Sequence, residues 1–199
     1  MPALTTDPAA SPSHWIAFAG HRRIAAGERR AVARAVKEAV ERGERAPVLI
    51  FEAETSGRVE LDLRGTAEEV VARLDRPAAA APAKPPARGP GRPRLGVVAR
   101  EVTLLPRHWD WLAHQPGGAS VTLRRLVDEA RRTGEGRDRV RTAREAVYRF
   151  LTAIGGDLPD YEEALRALFA GDRAAFAGHV AAWPVDVREH ADRLARDAF

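Results

Sequence analysis

The 199-residue chain contains no cysteine, a single methionine, and only two lysines among its 32 basic residues. Without thiols there are no disulfides and no thiolate metal site, so side-chain packing must hold the fold together. No window approaches the roughly 20 apolar residues that a membrane helix requires. The opening MPALTTDPAASPSHW lacks the basic segment and apolar run of a secretory signal. The expectation is a cytoplasmic protein with no membrane contact. The patterns GxGxxG, GxxxxGKS, GxSxG and HExxH are absent, and none of the six histidines (His14, His21, His108, His114, His179, His190) pair at i,i+4. Acidic pairs such as Glu68-Glu69 and Glu162-Glu163 fall in first helical turns, where the helix dipole explains them. The chain therefore reads as a non-enzyme with no cofactor and no metal.

What is abundant is arginine, at thirty residues. An Arg-over-Lys bias of this size, with abundant alanine, points to nucleotide composition, so placement is more informative than number. Residues 76–133 hold eleven Lys/Arg against four Asp/Glu, a net +7, while the flanking stretches 1–75 and 134–199 carry −1 and −2. An excess gathered in one segment suits a polyanion-binding surface, whereas a scattered one serves solubility.

The expected fold class is α+β. Residues 1–14 form a Pro/Ala/Ser lead-in. Residues 15–75 read as a small ββαββα domain. Its strands are Trp15–Ala19 and Arg22–Ala26 around Gly20-His21; a helix from Glu28 to Arg42 has its stripe at Val32, Ala35, Val36, Ala39 and Val40. A continuous apolar strand, Pro47–Glu52, is placed centrally. Another follows at Arg58–Arg64, where Val59, Leu61 and Leu63 alternate with charges. Thr66 and Glu69 form a capping box that opens a short helix to about Leu74. Residues 76–95 hold six of the fourteen prolines; they cannot build a core and read as a semi-rigid Pro/Ala/Arg linker. A strand-helix-helix unit over 96–133 and a helical bundle over 134–199 complete the chain. In the bundle, Val140 to Ile154 form one stripe ending at Gly155-Gly156. A second helix starts near Asp160 and stops at Gly171, Asp172 caps a third, and Pro184 starts a fourth.

Within the basic segment, VTLLP (Val102–Pro106), a helix over Arg107–Gln115, a Gly-Gly turn and a second helix over Val121–Arg132 resemble a ribbon-helix-helix DNA-binding unit. That resemblance implies an obligate homodimer whose paired strands enter the major groove while helix N-termini hold phosphates. It departs from the family pattern where bases would be read, because Leu104 and Val102 are apolar. Leu112–Val127 also resembles the turn and recognition helix of a helix-turn-helix, with Pro116 lengthening the turn. The tract ARGPGRPRLG is similar to a minor-groove AT-hook, except that Pro90 stands where its first central arginine belongs. These resemblances put phosphate contacts on Arg88, Arg92, Arg94 and Arg100, and groove contacts on Thr103, Thr122 and Arg124. Against them stand i,i+4 pairs of Arg124 with Asp128 and Arg125 with Glu129, which would neutralise the second helix internally. Trp109 is assigned to the core with Leu112.

Over the whole chain, FAGHRRIA, GRPRLGVVAREVTLLPRHWDWL and ALFAGDRAAF…WPVDVREHA resemble a bacterial family known only as domain of unknown function 2239. That resemblance implies no activity, ligand or catalytic residue. The expectation is a non-enzymatic nucleic-acid-binding protein, with DNA as the partner and a transcriptional regulator as the role. The alternative is a protein–protein interaction protein whose basic linker is only a spacer.

Overall fold

A computed structural model of the chain describes residues 14–75 and 100–199. The chain divides into two compact units, one combining residues 1–77 with 137–199 and the other spanning 78–136.

In the first unit, β1 (His14–Ala19) turns through Gly20, at φ 54°, into β2 (Arg22–Glu28). Helix α1 (Arg29–Glu41), β3 (Val48–Glu52), the two-residue β4 (Arg58–Val59) and α2 (Ala67–Leu74) follow. The strands form one antiparallel sheet in the order β2-β1-β3-β4, which leaves β1 and β3 interior. Alternation along β1 sends its side chains to opposite faces. Trp15 and Ala17 join Val32, Val36, Ile50 and Val70 in one core, while Ile16 and Phe18 join Phe51 and the C-terminal helices in another. Because both faces of the sheet are covered, WIAFA and VLIFE read as unbroken apolar runs rather than alternating ones.

The second cover comes from far along the sequence. The 137–154 part of α4 (Gly118–Ile154), α5 (Tyr161–Ala170), α6 (Arg173–Val180) and α7 (Val185–Leu194) place Val147, Phe150, Leu151, Leu168, Phe176, Val180 and Val187 against the sheet's outer face. Residues 134–199, expected as a region of their own, thus contribute one layer of a helix–sheet–helix unit. Local signals position this layer. Gly171, at φ 79°, closes α5 in the left-handed conformation, and the Asp172 carboxylate accepts from the Ala175 N–H to start α6. Trp183 Nε1 donates to the Pro159 carbonyl at 2.7 Å, tying the α6–α7 turn to the α5 entry.

The strand expected over Arg58–Arg64 pairs only at its first two residues. Val59, Leu61 and Leu63 still turn inward, but the chain leaves the ladder because α2 supplies another partner. Arg73 donates to the Asp62 carbonyl at 2.9 Å and also to the Arg64 carbonyl. Helix α2 carries the full capping box: Thr66 accepts from the Glu69 N–H, and the Glu69 carboxylate accepts from the Thr66 N–H. Thr66→Ala is expected to lower unfolding free energy by about 1 kcal/mol, read from urea denaturation. A loss below a few tenths would mean that this cap does not hold α2.

Candidate nucleic-acid interface

The second unit, where residues 100–136 are described, is built differently. Helix α3 (Pro106–Ala113) starts at a proline whose missing N–H costs nothing in the first turn. It ends at His114, and Gly117 and Gly118, at φ 83° and 71°, reverse the chain into α4. Gly117 is required there both for its positive φ and for space. A Cβ would stand 3.1 Å from the Val121 side chain.

Several expectations change here. Val102–Leu105 forms no strand within the described residues, so no ladder within the chain occupies its backbone. The helices expected on either side of residue 134 are one, running 37 residues or about 55 Å. Gly134 and Gly136 each lower helix propensity by about 1 kcal/mol, yet neither terminates it. No proline or cap accompanies them, and the Thr133 hydroxyl bonds back to the Glu129 and Ala130 carbonyls within the helix. Trp109, assigned to the core, is 43% exposed, and Leu112 alone of that pair is buried.

Of the expected contact residues, Arg88, Arg92 and Arg94 lie outside the described residues. Arg100, Thr103 and Arg124 are exposed. Thr122 is 1% exposed, and its buried hydroxyl has no hydrogen-bond partner. It is therefore withdrawn from the groove contacts, since a buried side chain reaches no base edge.

Ion pairing is uneven between the units, although Arg34, Arg45, Arg58, Arg144 and Arg188 of the first unit also lack a carboxylate partner. Arg22 pairs with Glu44, Arg23 with Asp186 and Glu189, Arg30 with Asp75, Arg64 with Asp62, Arg141 with Asp138 and Glu145, and Arg166 with Glu163. All of these lie in the first unit. Among the described residues, Arg100, Arg107, Arg124, Arg125, Arg131 and Arg132 have no carboxylate partner. The i,i+4 pairs expected with Asp128 and Glu129 do not form; instead Arg124 Nε donates to the Ser120 carbonyl and Arg132 Nε to the Asp128 carbonyl. At about 100° per residue, Arg124, Arg125, Arg131 and Arg132 fall in one arc of roughly 120°. Val121, Asp128 and Glu135 share that arc. The sequence carried no sign of this sorting, because i,i+4 spacing permits pairing without requiring it.

Elsewhere, a concavity of about 560 Å³ in the first unit is lined by Arg173, Phe176, Glu189, Asp192, Arg193 and Arg196, among others. Its acidic and basic groups offset one another, and none of the buried polar atoms left without a hydrogen-bond partner lines it. Among the described residues, no group of three His, Asp or Glu side chains is placed to hold a metal ion, and no helix is long and apolar enough to cross a membrane.

These features define an α+β protein: a four-stranded antiparallel sheet between two helical layers, with an arginine-faced helical segment inserted between its halves. The chain belongs to the family described as an uncharacterized protein conserved in bacteria, DUF2239, whose model matches residues 14–195. No curated protein and no solved structure matches it.

Proposed function

We propose that the protein is a non-enzymatic nucleic-acid-binding protein whose contact surface is the Arg-rich segment from Arg88 to Arg132. One observation carries the reading. The chain pairs many, though not all, of the described arginines of the first unit with carboxylates but leaves all six of residues 100–132 without such a partner. A guanidinium that is not already paired is available for bidentate phosphate contact. Arg124, Arg125, Arg131 and Arg132 share one helix face, so they can follow a phosphate backbone together. Arg88, Arg92 and Arg94 add charge from the sequence immediately before. Thr103 remains a groove candidate, whereas the ribbon pairing of Val102–Pro106 is not needed for this binding mode. DNA is the preferred partner because the Gly-Arg-Pro tract suits a narrow minor groove.

Salt dependence is the test. Binding of the full chain to a labelled DNA duplex, followed by fluorescence anisotropy, is expected to weaken steeply as salt rises. Arg92→Ala with Arg94→Ala is expected to lower the slope of log K against log salt by about one to two. Absence of binding at low ionic strength, or an unchanged slope in the double variant, would overturn the reading. A second reading, an interaction protein, is favoured by a separate observation on the same segment: its exposed apolar side chains.

A further inference from the structure

Two tryptophans of α3 stay at the surface. Trp109 is 43% and Trp111 50% exposed, whereas Trp15 and Trp183 of the other unit are 8% and 3% exposed. Buried Trp183 has a carbonyl acceptor for its Nε1. Among the described residues, neither indole of α3 has a hydrogen-bond partner or meets another ring. Leu112 is the one buried side chain of α3 and marks its inner side. At about 100° per residue, Trp109 lies about 60° from Leu112 and Trp111 about 100° from it in the other direction. Arg107, four positions before Trp111, lies about 40° further out. It is exposed and has no carboxylate partner. Asp110, the only acidic residue of α3, falls on the far side of Arg107, about 100° from Trp111.

We infer that Trp111 is a stacking platform for an unpaired base, so that the DNA held by this segment is partly single-stranded. The inference rests on the nucleic-acid reading and adds to it the form of the DNA. Inside a duplex each base is covered above and below by its neighbours, and an indole reaches a base face only where the strand is unpaired. Stacking of this kind tolerates any sequence, because every base has a π-face. The neighbouring Arg107 guanidinium supplies the other half of such a site, a donor fork for the phosphate of the stacked nucleotide. Charge selects this occupant. Residues 76–133 carry a net +7, and the cation beside the ring is unneutralised, so a second copy would bring the same positive excess to the contact. Trp109 stands about 160° from Trp111 around the helix, flanking Leu112, and takes no part.

Three forms of one labelled duplex separate this inference from the reading beneath it. One is blunt, one carries a thymidine overhang of about ten nucleotides, and one carries an abasic overhang of the same length, with the same phosphates but no bases. The full chain is expected to bind the thymidine overhang about tenfold or more tighter than the abasic one. Trp111→Ala is expected to abolish that gain with unchanged far-UV circular dichroism. Trp111→Phe, which keeps a ring, is expected to retain most of it, and Trp109→Ala all of it. Tryptophan emission is a second readout, because the indoles of the other unit are buried. The thymidine overhang is expected to quench it in the wild type and much less in Trp111→Phe. Blunt-duplex binding with no preference for thymidine over abasic overhang, as a surface reserved for a protein partner would give, overturns the inference and leaves the nucleic-acid reading standing. Absence of binding to all three forms removes both. A gain indifferent to Trp111→Ala, or lost equally in Trp109→Ala, also overturns the inference.

Discussion

Phe150→Ala is expected to remove about 3–5 kcal/mol of unfolding free energy, the range for an aromatic truncated in a well-packed core. Its ring is fully buried and meets three others: Phe18 at 5.3 Å, Phe51 edge-on at 5.6 Å and His190 edge-on at 4.6 Å. Phe18 belongs to β1, Phe51 to β3 and His190 to α7. One truncation therefore opens a cavity where the sheet meets both α4 and α7. Against a typical total of about 5–15 kcal/mol, that is a large fraction. Urea unfolding followed by tryptophan emission also tests the architecture, because Trp15 lies in the core beneath α1 and Trp183 in the one on the other side of the sheet. Both environments are expected to be lost in one transition, shifted together by the substitution. A loss below about 1 kcal/mol, or a Trp15 signal that ignores the change, would show residues 14–75 folding as an independent domain.

The second large effect concerns acid. His190 is completely buried between Phe18 and Phe150, and neither ring nitrogen has a hydrogen-bond partner. Burial, with smaller contributions from the positive charges of Arg193 and Arg23, pushes its pKa down to about 4. Arg23 is in turn held by Asp186, which accepts from its backbone N–H at 2.8 Å, and by Glu189. The sign follows from proton counting. Between the folded value and the ordinary one near 6.5, the unfolded chain holds the proton and the folded chain does not, so stability is full above pH 6.5 and declines as pH falls towards 4. The difference amounts to about 3 kcal/mol. His190→Leu removes the titrating group and also two buried polar atoms, so the variant is expected to match or exceed the wild type at neutral pH. Its margin over the wild type should then widen by about 3 kcal/mol between pH 7.5 and pH 4. Stability–pH curves that run parallel in the two proteins would remove His190 as the cause. The carboxylates of Glu44 and Asp62, also held below their usual range by backbone and arginine hydrogen bonds, act in both proteins alike.

Much of the fold is legible locally. The Thr66–Glu69 box, Gly171, Asp172 and Pro184 start or stop helices in the structure as their chemistry requires. WIAFA and VLIFE form the two interior strands. The misreadings share a cause. Trp109 and Thr122 exchanged roles, one exposed and the other buried, because burial depends on what packs alongside and not on residue type. The boundary placed between residues 133 and 134 falls inside one helix, since propensity is a weak prior within a long helix.

The sequence by itself determined the α+β class, the strands and most helix boundaries, since these follow from spacing and capping over a few residues. It also determined which segment carries the excess of positive charge. Only the tertiary structure decided that the C-terminal helices close the open face of the N-terminal sheet, a contact between residues more than a hundred positions apart. Only it decided that many arginines of one unit find carboxylates while none of the six of 100–132 does, and that Leu126 and Val127 are exposed. Ion pairing and burial are properties of three-dimensional neighbours, and the linear pattern leaves those neighbours open.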